Sequence, residues 1–319
     1  TPFFRRNVTS GECCTVSSES VIITVNAVLT PGTIGSSQSI CFNDIPSTLT
    51  QVSQPSGGTG NYTYQWQSSP DNSTWTNIPG ATLSSYSSQA LTVNTYFRCN
   101  VSSGDCGSLS SNSVLITINP TLTPGSIGSD QTICYNYSPG QLSQLTPPSG
   151  GTGSYSYRWQ SSSNNTTWSD IPGATSSSYS PPALTSTTYY RRIAISGDCN
   201  SVNSNSVMIT VNPQINPGSV GSSQTICHNT IPAQLTQLNA PSGGTGSFIF
   251  QWQSSPNNTN WINIAGATQA SYSPPALTAS TYFRRNVTSG ECGTVSSESA
   301  LITVNAVLTP GTIGSSQSI

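Results

Sequence analysis

Charge is what this chain has least of. Only 6% of its 319 residues are charged, against about 25% in ordinary globular proteins. All eight basic residues are Arg, so Lys is absent, and there is one His and one Met. A protein that grips nucleic acid by neutralising phosphates needs a dense Lys/Arg field, which this composition excludes. General acid–base catalysis draws on His, Asp, Glu and Lys, so their scarcity argues against an enzyme. No run of 18 apolar residues could cross a membrane as a helix. No basic segment followed by an apolar stretch marks a signal peptide. Ser, Thr, Asn, Gln, Gly and Pro fill the gap, a bias that could mean disorder. Yet 6 Trp, 13 Tyr and 7 Phe demand a packed interior.

The chain repeats itself. PSGGTG begins at 55, 148 and 241, Trp66, Trp159 and Trp252 are 93 apart, and Trp75, Trp168 and Trp261 keep the same step. The period sets repeats at 30–122, 123–215 and 216–308, with 1–29 the end of a preceding copy and 309–319 the start of a following one. Residues 3–40 and 282–319 differ at only four positions, which reads as duplication of a three-copy block and as a window on a longer array. A 93-residue unit can enclose its own core, unlike the 20–45-residue unit of a solenoid.

Within one repeat the pattern is all-β. NYTYQWQ alternates Tyr62, Tyr64 and Trp66 against Thr63, Gln65 and Gln67, and SVLITIN sets Val114, Ile116 and Ile118 on one face. About seven short strands separated by Gly/Pro/Ser/Asn turns predict an antiparallel β-sandwich. Trp66, Trp159 and Trp252 are its expected core. Trp75, Trp168 and Trp261 are candidates for outward, ligand-facing aromatics.

A Trp on the third strand resembles the core Trp of immunoglobulin-like domains, and ALTVNTYFR, ALTSTTYYR and ALTASTYFR resemble the turn that enters the sixth strand of that fold. The stretch GGTGSYSYRWQSSSNNTTWSDIPGATSSSYSPPALTSTTYYRR is similar to the Ig-like/PKD-like repeats of giant Bacteroidetes surface proteins, adhesins exported by the type IX system and gliding-motility filament adhesins among them. The resemblance covers the whole chain and implies a stalk or adhesive role at the cell surface without catalysis.

Each repeat has one early and one late Cys, 65 apart: Cys41 and Cys106, Cys134 and Cys199, Cys227 and Cys292. Even pairs at fixed spacing in a chain with one His predict disulfides and not zinc. One bond inside each repeat, joining its first strand to the turn before its last, is the expected arrangement. Disulfides place the protein outside the cytoplasm. Cys13 is the late Cys of the truncated first copy. Cys14 stands where other repeats have Gly107, Asn200 and Gly293, and Cys99 where they have Arg6, Arg192 and Arg285; both are expected to be unpaired or to pair between chains.

Other motifs carry little chemistry. His228 has no repeating Ser, Asp or Cys around it. The Asp residues are scattered, and no calcium-loop pattern occurs. PSGGTG lacks the Lys of a phosphate loop and reads as a turn before a strand. Arg191–Arg192 and Arg284–Arg285 lie on a strand, so their members point to opposite faces, one of them suited to stacking on a Trp. Nine Asn-X-Ser/Thr sites, such as Asn61 and Asn164, are weak evidence of glycosylation in a chain so rich in Ser, Thr and Asn. No cofactor and no metal is expected. The predicted role is a structural stalk or filament segment of a long exported protein whose partners are neighbouring repeats, other chains of a filament or surface glycans. A carbohydrate-binding array and a laterally assembling fibre are the alternatives. The short Pro-rich junctions, NPTLTPGS and NPQINPGS, predict an end-to-end array advancing about 40–45 Å per repeat.

Overall fold

The computed structural model describes residues 1–311 and 313–314. Most of the following copy expected at 309–319 therefore lies outside the described residues. The chain divides into two compact units, one of residues 1–124, 148–156 and 194–202, the other of 125–147, 157–193 and 203–319. The division cuts through the middle repeat and leaves the first and third whole.

Each repeat has the same eight strands. In the first they are β1 (Thr33–Ile34), β2 (Gln38–Cys41), β3 (Gln51–Ser53), β4 (Thr63–Ser69), β5 (Thr76–Asn77), β6 (Thr95–Ser102), β7 (Ser108–Ser110) and β8 (Val114–Asn119). The larger sheet runs β2-β8-β6-β4-β5, with β7 paired to β6. All its pairs are antiparallel except β2 with β8. The other layer is the β1–β3 pair, extended by bridges Leu49↔Tyr86 and Asp44↔Leu91. The second and third repeats have the same order. A first strand split between the two layers and closed by a parallel pair with the last makes each repeat an immunoglobulin-like sandwich.

Period-two alternation drives the burial. Along β6, Phe97, Cys99 and Val101 face inward, and along β8 Val114 and Ile116 do. Trp66, Trp159 and Trp252 are 0% exposed. Trp66 stacks on Tyr86 at 5.7 Å, and Tyr86 meets Phe97 at 5.6 Å. The Trp66 indole N–H donates to the Leu83 carbonyl at 2.9 Å, so the one polar atom of the ring is satisfied in the core.

The core also holds a cation. Arg192 and Arg285 are fully buried, in phase with Tyr190 and Phe283 on the inner face of β6. Arg285 donates to Gln237 Oε1 at 2.8 Å, to the Ala270 carbonyl at 2.8 Å and to the Pro217 carbonyl at 3.0 Å, and it lies 4.5 Å over the Phe250 ring. No carboxylate is among these partners; carbonyl dipoles and a π face hold the charge, and desolvation lowers the guanidinium pKa. In the first repeat Cys99 takes this place, and both amide atoms of Gln51, the counterpart of Gln237, are buried without a partner. Burial pushes the Cys99 thiol up to about 11.

Candidate functional site: the junction between repeats

The repeats meet through three short segments, one Pro-rich and two Gly-rich. The first is the linker after β8. The second is the PSGGTG loop of the following repeat, and the third is that repeat's SGDC or SGEC turn. In the first Gly-Gly pair, the N–H of Gly58 donates to the Ala27 carbonyl at 2.8 Å; Gly151 does the same to Pro120 at 2.7 Å and Gly244 to Pro213 at 2.8 Å. A side chain on Gly57, Gly150 or Gly243 would put its Cβ 2.0–2.1 Å from the carbonyl oxygen of Val28, Thr121 or Gln214. Only glycine lets the linker backbone lie this close. Leu29 and Leu122, 4% and 7% exposed, are sealed beneath this loop.

A serine ties the loop to the cysteine turn. Ser103, Ser196 and Ser289 are 0% exposed. Their Oγ atoms each accept the N–H of the loop threonine, Thr59, Thr152 or Thr245, at 2.9 Å. Their carbonyls accept the N–H of Cys106, Cys199 and Cys292 at 2.9–3.0 Å. The late cysteine is thus held at the end of its repeat that faces the preceding one. There an Asn from the preceding copy reaches it, the last residue of β8 in the case of Asn119 and Asn212. Asn26, Asn119 and Asn212 donate from Nδ2 to the Sγ of Cys106, Cys199 and Cys292 at 3.6, 3.6 and 3.8 Å.

The early cysteine sits at the opposite end. Cys41 closes β2 and stands beside Asn119, the last residue of β8, in the parallel register. It therefore meets the late cysteine of the following repeat. The disulfides are Cys41–Cys199 and Cys134–Cys292, each with 5.2 Å between Cα atoms and a sequence separation of 158. This corrects the expectation of one bond inside each repeat, Cys41–Cys106, Cys134–Cys199 and Cys227–Cys292. The reason is geometric. Within a repeat the two cysteines lie at opposite ends of β8, whose six residues span about 20 Å, far more than the 4.4–6.8 Å a disulfide allows. Cys106 and Cys227 are free and exposed, as are Cys13 and Cys14; Cys99 is free and buried.

Beside Cys41–Cys199 lies an open cleft of about 540 Å³ that includes Asp44, Asn119, Thr152 and Asp198. Its counterpart beside Cys134–Cys292 is about 260 Å³, lined by Tyr135, Pro213, Ile215 and Val295 among others, with no acid. The chemistry of the cleft does not repeat; the bond and the loop contacts do. His228 is exposed, and the described residues contain no group of three or more His, Cys, Asp or Glu placed to hold a metal. Among the described residues no helix is long and apolar enough to cross a membrane.

The candidate ligand-facing aromatics are half-buried and capped. Arg98, Arg191 and Arg284 lie 4.2–4.3 Å over the rings of Trp75, Trp168 and Trp261. Each arginine is fixed by donating from Nε to a Gln of β4, Gln67, Gln160 or Gln253, at 2.7–2.8 Å. A guanidinium thus occupies one face of each indole.

The fold and its junctions define a tandem immunoglobulin-like repeat protein. The chain belongs to the family described as Domain of unknown function (DUF8696), which matches residues 30–120, 123–213 and 216–306. Among solved structures it is similar to the titin I-band fragment I67–I69, with 13% identity and a TM-score of 0.49 over 88% of this chain and 99% of that one. It is also similar to extracellular domains 3–5 of Drosophila OTK, with 12% identity, a TM-score of 0.32 and coverage of 87% and 97%. Three N-terminal domains of the bacteriophage RB49 outer capsid protein Hoc give 14% identity, a TM-score of 0.31 and coverage of 84% and 96%. No curated protein matches the chain.

Proposed function

We propose that this chain is a load-bearing segment of a long exported repeat protein, a stalk or filament body in an adhesin-like molecule at the cell surface, with no reaction of its own. The observation that supports this reading most is the pair of disulfides that cross from one repeat to the next, Cys41–Cys199 and Cys134–Cys292. Such bonds form and persist in oxidising compartments, outside the cytoplasm. They are placed to keep neighbouring repeats together under tension. Each bond spans one junction, Cys41–Cys199 that of the first and second repeats and Cys134–Cys292 that of the second and third, and the two closed loops overlap only within the second repeat. The low charge leaves little repulsion against lateral contact with other chains of a filament.

Single-molecule pulling tests the reading. Held by its ends, the oxidised chain stops short of its full length, because the Cys41–Cys199 bond hides a stretch of 158 residues. Reduction releases at least about 550 Å at roughly 3.5 Å per residue. Equal contour lengths before and after reduction would remove the load-bearing role.

A further inference from the structure

We propose that the downstream end of the third repeat is a docking and cross-linking site for one more repeat of the same kind on the same chain, with Cys227 as the covalent acceptor. Cys227 is exposed and unpaired, and it closes its β2 beside Asn305 in the parallel register that sets Cys41 beside Asn119 and Cys134 beside Asn212. At both of those places a late cysteine arrives from the next repeat. The second observation is independent of the thiol. Leu308 holds the linker position of Leu29 and Leu122, yet it is 95% exposed where they are 4% and 7%. A Gly-Gly loop covers Leu29 and Leu122, within reach of Gly58 and Gly151. Leu308 is the same seat without its occupant. The occupant that fits is a PSGGTG loop with an SG(D/E)C turn, because these two segments fill the equivalent surfaces elsewhere in this molecule.

The upstream side shows the complementary half. Cys106 is unpaired and exposed, although Asn26 already donates to its sulfur at 3.6 Å, as Asn119 does to Cys199 in a completed bond. The bond chemistry is thiol–disulfide exchange with a small-molecule disulfide such as oxidised glutathione. The Cys227 thiolate attacks one glutathione sulfur and releases one glutathione thiolate. The arriving cysteine's thiolate then attacks Cys227 Sγ in the mixed disulfide and releases the second. Two protein thiols become one disulfide, and oxidised glutathione leaves as two reduced molecules.

This inference deepens the reading of a repeat array, and its test reads docking apart from load. Residues 309–319 are identical to 30–40, so residues 41–122 fused after Ile319 complete a fourth repeat. Both chains are refolded in oxidised and reduced glutathione and mapped without reduction. In the 319-residue chain Cys227 should carry one glutathione. In the extended chain it should instead join the late cysteine of the added repeat, 158 positions on, while Cys106 keeps its glutathione. A Cys227 that stays glutathionylated, bonds the added repeat's early cysteine or links two chains in a dimer would overturn the proposal. A Cys227→Ser version of the extended chain guards against misfolding. There, hydrogen exchange should still slow at Leu308, because the loop docks without the bond. Unchanged exchange at Leu308 would also overturn it. The load-bearing role of the two bonds already formed is read separately, by pulling, and does not depend on either outcome.

Discussion

At the scale of single residues, the buried arginine shows how a charged side chain becomes core. Arg285 sits inside because β6 alternates strictly, and its guanidinium satisfies Gln237 and two carbonyls that would otherwise be unpaired. Arg285→Ala should therefore destabilise the third repeat by about 2–4 kcal/mol, since buried polar partners lose their bonds. Cys99→Arg should do the reverse in the first repeat by engaging the orphaned Gln51 amide. Denaturant titration of each variant checks both signs; a neutral Arg285→Ala would contradict the account. The Cys99 thiol, held up to about 11 by burial, should resist alkylation in the native chain while Cys106 and Cys227 react. The sign of its pH effect follows. The unfolded thiol ionises near its ordinary 9.0 and the folded one does not, so stability falls as pH rises from about 9 towards 11. Alternation along TYFRRNV puts Phe283, Arg285 and Val287 in phase, so the inward Arg was legible in the sequence. Composition argues the other way, because a charged residue is so seldom buried.

At the scale of elements, the PSGGTG loop reads in the sequence as a turn ahead of a strand, and its local conformation is that. Its larger purpose is a contact made with the preceding linker, which local pattern cannot show. The first glycine of the pair differs in kind from positive-φ glycines that face open space. Gly150 has φ +75 and the Thr121 carbonyl 2.1 Å from a would-be Cβ, whereas Gly173 has the same φ with nothing within 4 Å. Gly173→Ala should cost about 1 kcal/mol from backbone conformation alone. Gly150→Ala should cost more and should expose the 120–122 linker to hydrogen exchange, because backbone must move to admit the methyl group. Equal costs with an unopened linker would show that the loop does not seal the junction. Elsewhere the strand pattern carries further. The period-two runs at NYTYQWQ and SVLITIN locate β4 and β8, and the Trp of β4 is the centre of each core, because alternation is a property of adjacent residues and needs no knowledge of what lies across the sheet.

At the scale of the whole molecule, the disulfides decide whether these are independent domains or one interlocked chain. A fixed spacing of 65 inside a 93-residue period is the same pattern as a spacing of 158 between one repeat's early cysteine and the next repeat's late one. Periodicity cannot separate the two; the positions of the cysteines at opposite ends of β8 do. Closing a 158-residue loop stabilises by about 5 kcal/mol in a chain-entropy treatment. Here that stabilisation belongs to the junction of two repeats and not to either one alone. Non-reducing peptide mapping of the oxidised chain tests this most directly. The account predicts peptides joined through Cys41–Cys199 and Cys134–Cys292, with Cys106 and Cys227 unbonded to either. Recovery of Cys41–Cys106 or Cys134–Cys199 would contradict it.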